Sequence, residues 1–126
     1  MPPPRPRTIP DLTALESTAR HERARRALVH QTDDIQISHY TIDPGGRVPR
    51  HRHSVSWDIA VVLEGAIDIR MECDGETTQV RCGEQAVNIV PPGMPHEIAN
   101  AGDTVARVLL IQSPSKGFDF VRAEGA

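Results

Sequence analysis

The chain has 126 residues, a formal charge of −3 and a pI near 6.0. That is one domain of common size, long enough to bury its own core, and its acidic balance argues against nucleic acid as a partner. No stretch approaches the roughly 20 apolar residues of a membrane span, and "MPPPRPRTIP" lacks the apolar centre of a secretory signal, so the expectation is a cytoplasmic protein without a membrane partner.

In chain order, residues 1–10 carry five of the eleven prolines and read as extended. The first thirty residues hold six arginines against Asp11, Glu16 and Glu22, while the remainder is net acidic. Such a basic arm is either a solvated segment or a cover for a neighbouring subunit. In "DLTALESTARHERARRAL", Leu12, Leu15 and Ala19 fall at helical spacing with Asp11 as N-cap, which predicts a short helix. The alternative is a strand beginning near Ala27. From there the pattern becomes short β segments cut by Gly and Pro. "IQISHYTI" alternates, "DPGG" at 43–46 reads as a turn, and "DIAVVLEG" and "AIDIRMEC" follow. Asp74-Gly75 is a two-residue hairpin signal leading into "TTQVRC". "QAVNIV" stops at "PPGMP"; "HEIAN", the turn "AGD" and "ARVLLIQ" complete the run, and Phe118 and Phe120 offer a packing latch in the tail. Without crossover helices, this series predicts an all-β sandwich or barrel.

The hairpin register tests the two cysteines. With Asp74-Gly75 as the turn, Cys73 faces Glu76 and Cys82 faces Ile67, so the sulfurs lie about 20 Å apart at roughly 3.3 Å per residue. That exceeds disulfide reach, and two free thiols are expected.

The chemistry concentrates in "PRHRHSVSWDIAVVLEG", residues 49–65. Residues two apart on a strand share a face, so His51 and His53 aim at one point while Arg50 and Arg52 face away. Two converging imidazoles are a metal-binding arrangement, although a surface strand can carry such a pair by chance. Asp58 lies an odd number of residues beyond His53, so "SVSW" must be a turn or bulge. Past that break, Asp58, Ala60 and Val62 point inward and Ile59, Val61 and Leu63 outward. Asp58 is then either a third ligand or a cap for the turn. His96 follows the preset turn "PPGMP" and shares a face with Ile98 and Asn100.

Taken together, Gly45, His51, His53, Asp58 and Gly65 at these spacings resemble the first motif of the cupin superfamily. Gly83, Pro91, Gly93, His96 and Asn100 resemble the second. The likeness covers about residues 45 to 100. It implies a double-stranded β-helix, the jelly-roll barrel, over 31–116, flanked by a helical or extended arm over 1–30 and a tail over 117–126. It also implies one divalent metal ion (Fe, Mn, Ni or Zn) held by His51, His53, Asp58 and His96. One position departs from the pattern: the family's acidic residue is normally glutamate. If the shorter Asp58 does not reach, three histidines and waters remain.

Among other residues, His21 and His30 lie in the arm and are expected to be exposed. His39 either lines the pocket or is a satisfied core histidine. With one Trp, one Tyr and two Phe in the chain, the pocket walls are expected to be aliphatic, drawn from Ala60, Val62, Met94, Ile98 and Gln112. Trp57 belongs outside the barrel or over its mouth, and Arg47 at a solvated rim. No general base stands out beyond the ligands, since Glu97 points away from His96 and Glu64 lies at the far end of its strand. The expected function is a metal-dependent enzyme acting on a small organic substrate, with dioxygenase-type oxidation preferred. The alternatives are redox-neutral isomerase, cyclase, lyase or decarboxylase chemistry, a non-catalytic ligand-binding cupin, and a metal-free structural barrel. Exposed sheet edges favour a homodimer.

Overall fold

The computed structural model describes residues 3–123. Among the described residues, a single 3-10 turn, Leu12–Ala14, precedes nine strands: β1 Ala19–Gln31, β2 Gln36–Arg52, β3 Trp57–Glu64, β4 Ile67–Cys73, β5 Glu76–Cys82, β6 Val87–Val90, β7 His96–Ala99, β8 Ala106–Ser113 and β9 Val121–Arg122. The sheet order is β5-β4-β7-β2-β8-β3-β6, with β1 and β9 also paired to β2. The strand β2 belongs to both layers. Its first half, Gln36–Ile42, pairs with β8, and its second half, Arg47–His51, pairs with β7. One sheet thereby folds over on itself as the expected double-stranded β-helix.

Two local expectations change. The predicted helix shrinks to the 3-10 turn, where Asp11 does accept a bond from the Thr13 N–H. The extended alternative prevails, and its strand begins at Ala19 rather than near Ala27. The Ala, Leu, Arg and Glu residues here are good helix formers, but pairing along β2 from Glu22↔Arg47 to Gln31↔Gln36 overrides propensity. The segment "DPGG" does not reverse the chain. It is the bend inside β2, with Gly45 at φ 78° and Gly46 packed so closely under the Arg23 carbonyl that a side chain would collide with it. Bonds from Gly45 N to Asn100 O (3.1 Å) and from Asn100 N to Gly46 O (3.0 Å) keep the bent strand tied to the end of β7.

The strands pointing into the barrel change character along their length. On β8 the buried positions run Ala106, Val108, Leu110, Gln112. On β3 they run from Val62 through Ala60 to Asp58, and on β2 from Ile42 through Tyr40 and Ser38 to Gln36. One end of the barrel is therefore a dry core of Ile42, Val48, Val62, Ile67, Ile69, Ala106 and Val108, and the other end is polar. Apart from Asp58, the charges on these strands lie outside, where cross-strand pairs such as Arg81–Asp68 at 2.8 Å and Arg107–Glu64 at 2.7 Å bridge neighbouring strands.

The β4–β5 register is the one the hairpin signal predicted, Cys73↔Glu76 and Ile67↔Cys82, and both cysteines are free. Cys73 is exposed, whereas Cys82 is buried and its thiol pKa is raised by that burial. A chromogenic disulfide reagent should titrate one thiol promptly in the native protein and the second only after unfolding. Two promptly reactive thiols would contradict the register.

Candidate metal centre

The bend in β2 and the break after it aim three strands at one point. His51 pairs directly with His96 across β2 and β7. The chain then leaves β2, turns through residues 53–56 with Ser56 anchored to Pro114 O at 2.6 Å, and re-enters as β3. That turn restores the parity that brings Asp58 inward, where Asp58, Ala60 and Val62 are buried. The result is a cluster of His51, His53, Asp58 and His96, all buried, whose donor atoms lie within 4.8 Å of one another. Ligands at about 2.1 Å from a shared ion stand roughly 3–4 Å apart, so the cluster has the dimensions of a metal site.

Hydrogen bonding sets the tautomers. His51 Nδ1 lies 2.6 Å from Pro49 O, His53 Nδ1 2.6 Å from Asp119 O and His96 Nδ1 3.0 Å from Met94 O. A carbonyl can only accept, so each Nδ1 carries a proton and donates it, and each ring, when neutral, presents an Nε2 lone pair inward. This is the outer-shell arrangement that prepares histidine for a metal. Asp58 Oδ2 then lies 3.1 Å from His53 Nε2 and 2.9 Å from His96 Nε2. Three lone pairs and a buried carboxylate require a positive charge among them, either a proton or a cation. The donor set fits a divalent ion on these grounds.

Burial and charge set the protonation of the cluster. Burial, followed by repulsion from His96, pushes His51 down to about 3, so its ring is neutral. Burial also presses His53 down, but the hydrogen bond and charge of Asp58 outweigh it and raise its pKa above the ordinary histidine value. Burial alone would raise the Asp58 carboxyl. The His53 and His96 hydrogen bonds instead hold it well below the usual carboxylate range.

The tail closes the site. Strand β9 pairs with His51 and Arg52, Phe120 stacks on His51 at 4.1 Å between centroids, and Phe118 lies 4.9 Å from the His53 ring. The Asp119 carboxylate caps Ser54 through its N–H (2.7 Å) and Oγ (2.6 Å). On the barrel side, a cavity of only about 10 Å³ adjoins the cluster, lined by Ala60, Ile69, Asn88, Val90, Ile98 and Leu110 with Asp58 and His96. A roomier hollow of about 280 Å³ is lined by His96 together with Arg50, Arg70, Glu72 and Glu97, where Arg70 already pairs with Glu97 and Arg50 with Glu72.

The predicted residues fall as follows. His51, His53, Asp58 and His96 converge, and Ala60 and Ile98 line the inner cavity. Gln112 touches Asp58 at 3.3 Å. Val62 lies deeper, in the dry core, and Met94 contributes its carbonyl to His96. His39 is buried outside the barrel interior, beside Leu12, Leu15 and Arg107 beneath the arm. Trp57 is exposed, as is His30, but His21 is half-buried and stacks on Phe120 at 5.3 Å, which corrects its expected exposure. Arg47 reaches out to Glu22 at 3.0 Å. The Phe118 and Phe120 latch does pack on His51 and His53, whereas sequence reasoning missed Gln36, Asn88 and the Asp119 contacts of the tail. The parity of β2 and β6 points to the first two, and no local signal points to the last.

Comparison with known proteins places these residues in a wider group. Residues 38–112 match the family model described as Cupin domain. Over 71 residues the chain is 34% identical to "Polyketide synthase CurC" of Streptomyces cyaneus, covering 56% of this chain and 44% of that protein. Among solved structures, oxalate oxidase superposes with a TM-score of 0.76 at 18% identity, over 89% of this chain and 61% of that one. A conserved Klebsiella pneumoniae protein with a double-stranded β-helix domain superposes with a TM-score of 0.75 at 20% identity, over 94% of this chain and 100% of its own. The chain thus spans less than half of the curated relative, and at these identities the structural likeness establishes the fold alone.

With its pKa raised by Asp58, His53 takes up a second proton on Nε2 as the pH falls, and that proton competes with an ion for the same atom. Affinity for Mn²⁺ should therefore fall on acidification, on the order of tenfold per pH unit for each proton displaced, and level off above the folded pKa of His53. His51, already neutral, adds no proton to this count. Titration calorimetry between about pH 5.5 and about pH 8 checks it, and an affinity independent of pH would contradict it.

Proposed function

The chain belongs to the cupin domain family, and from that premise we propose that it is a metal-dependent enzyme acting on a small organic molecule by dioxygenase-type oxidation. The observation that carries this reading is the convergence of three inward-facing Nε2 atoms and one carboxylate oxygen at a buried point, with every Nδ1 directed at a carbonyl. Three nitrogens and one oxygen suit iron, manganese, nickel or zinc. When bound, such an ion supplies Lewis-acid polarisation and, as iron, a means of engaging dioxygen. The chain's own residues do the rest. The three imidazoles and Asp58 hold the ion, and Ala60, Ile69, Val90, Ile98 and Leu110 keep water from its inner side. A cavity of about 10 Å³ holds no organic substrate, so a substrate would approach from the hollow of about 280 Å³ that His96 also lines, or by movement of the Phe118–Phe120 segment.

A second reading, redox-neutral cyclase, isomerase, lyase or decarboxylase chemistry at the same ion, draws support from the 34% identity to a protein named as a polyketide synthase. Oxygen consumption separates the two. Iron-loaded protein offered a panel of small hydroxy acids, enols and catechols should consume oxygen with at least one of them, and His96→Ala should abolish both the uptake and the retained metal. Full turnover of the active compound by zinc-loaded protein without air would replace the first reading with the second.

The working unit we propose is a cytoplasmic homodimer; none of the described helices is long and apolar enough to cross a membrane. The outward positions of β3 and the edge strand β6 are Trp57, Ile59, Val61, Leu63, Val87 and Ile89, with no charged side chain among them. Ile59 pairs with Ile89 and Val61 with Val87, so these side chains form one stripe, and Val87 and Ile89 are 55% and 57% exposed. A face without charge complements a copy of itself. Ile89→Asp should convert a dimer to a monomer in sedimentation at micromolar concentration, and a wild-type monomer would end this assignment.

A further inference from the structure

Asp58 uses one carboxylate oxygen towards the histidines. The other faces a second set of partners that the ligand motif does not contain. Gln112 donates from Nε2 to Asp58 Oδ1 at 3.3 Å, and Gln36 donates from Nε2 to Gln112 Oε1 at 3.2 Å. The three side chains come from adjacent strands on one rung of the sheet, since Asp58 pairs with Gln112 and Gln112 with Gln36. Both glutamines are almost wholly buried, at 3% and 4% exposure, on the barrel's polar end.

The direction of this chain follows from charge. A buried carboxylate only accepts, so the nearer end of Gln112 must be its NH₂. That turns Gln112 Oε1 away from Asp58 and towards Gln36, which must in turn present its own NH₂. The negative charge of Asp58 thus orients two amides in sequence.

The reciprocal effect is the functional one. We infer that Gln112, backed by Gln36, is a positioning residue for the metal: it holds Asp58 Oδ1 so that the carboxylate offers Oδ2 alone to the ion. This rests on the metal-dependent reading above and adds the device that makes a short acidic ligand work. An aspartate without such an anchor rotates freely about χ2 and presents either oxygen, or both. With Oδ1 held, Asp58 keeps the orientation in which Oδ2 meets His53 and His96.

The test uses cobalt(II), whose visible absorption reports its ligand geometry, together with calorimetric affinity for the same ion. Wild-type protein should bind one equivalent. Gln112→Met, similar in length and lacking the donor, should weaken binding roughly 10- to 100-fold, the range typical when an outer-shell partner of a metal ligand is lost, and should change the cobalt spectrum. Gln36→Met should have a smaller effect in the same direction. The double variant should bind no more weakly than Gln112→Met, because Gln36 acts through Gln112. Gln112→Leu provides a second variant if the methionine form fails to fold. A purely structural role would lower thermal stability and leave the spectrum alone, so an unchanged spectrum and affinity in a folded Gln112 variant overturns the relay. Additive losses in the double variant overturn it as well. If wild-type protein itself fails to bind cobalt, and matches His96→Ala, the metal reading fails and takes the relay with it.

Discussion

A single buried carboxylate organises the polar end of this barrel. Asp58 is 3% exposed, with two imidazole nitrogens at 2.9 and 3.1 Å on one side and a glutamine amide at 3.3 Å on the other. An ionised group so placed is tolerated only when its charge is answered. Protonating Asp58 would remove the charge, but the histidine hydrogen bonds hold the carboxyl below its ordinary range, so the positive charge has to come from an imidazole or from an ion. The surrounding backbone engages all three Nδ1 protons, so Nε2 is the atom that each ring turns towards that charge.

The fold supplies that geometry through division of labour along each strand. Inward positions are apolar at one end of the barrel and polar at the other, so stability and chemistry occupy separate halves of the same strands. The dry half holds the polar half rigid. The bend at Gly45 and Gly46 lets β2 serve both layers, and it is what brings His51 alongside His96. Were "DPGG" a reversal, the two histidine motifs would lie on strands with no reason to meet.

Much of this was legible in the residues. The two-residue period put His51 and His53 on one face, and the odd step to Asp58 demanded the break that residues 53–56 provide. The Asp74-Gly75 turn set the register of β4 and β5 correctly to both cysteines. Two features misled. Residues 19–31 are rich in helix formers, and only their pairing with a distant strand makes them β. In "IQISHYTI" the isoleucines look like the core face, yet Gln36, Ser38 and Tyr40 point in, because this end of the barrel is polar and Ile37 packs outside against Ile111. Gln36 was therefore hidden by the rule that apolar residues face inward, a rule that fails where a site replaces the core. The two phenylalanines announced the tail's packing, but the Asp119 contact was invisible for a different reason: a carbonyl at residue 119 meeting a ring at residue 53 leaves no trace in local pattern.

That last contact joins two distant parts of the chain in one event. With residues 118–122 docked, the Asp119 carbonyl holds the His53 proton on Nδ1 and Phe120 lies against His51. With that segment displaced, no carbonyl fixes the His53 tautomer, and either ring nitrogen can face Asp58. Docking of the tail and presentation of Nε2 are therefore coupled, and whatever shifts the segment also changes what the cluster offers to a cation.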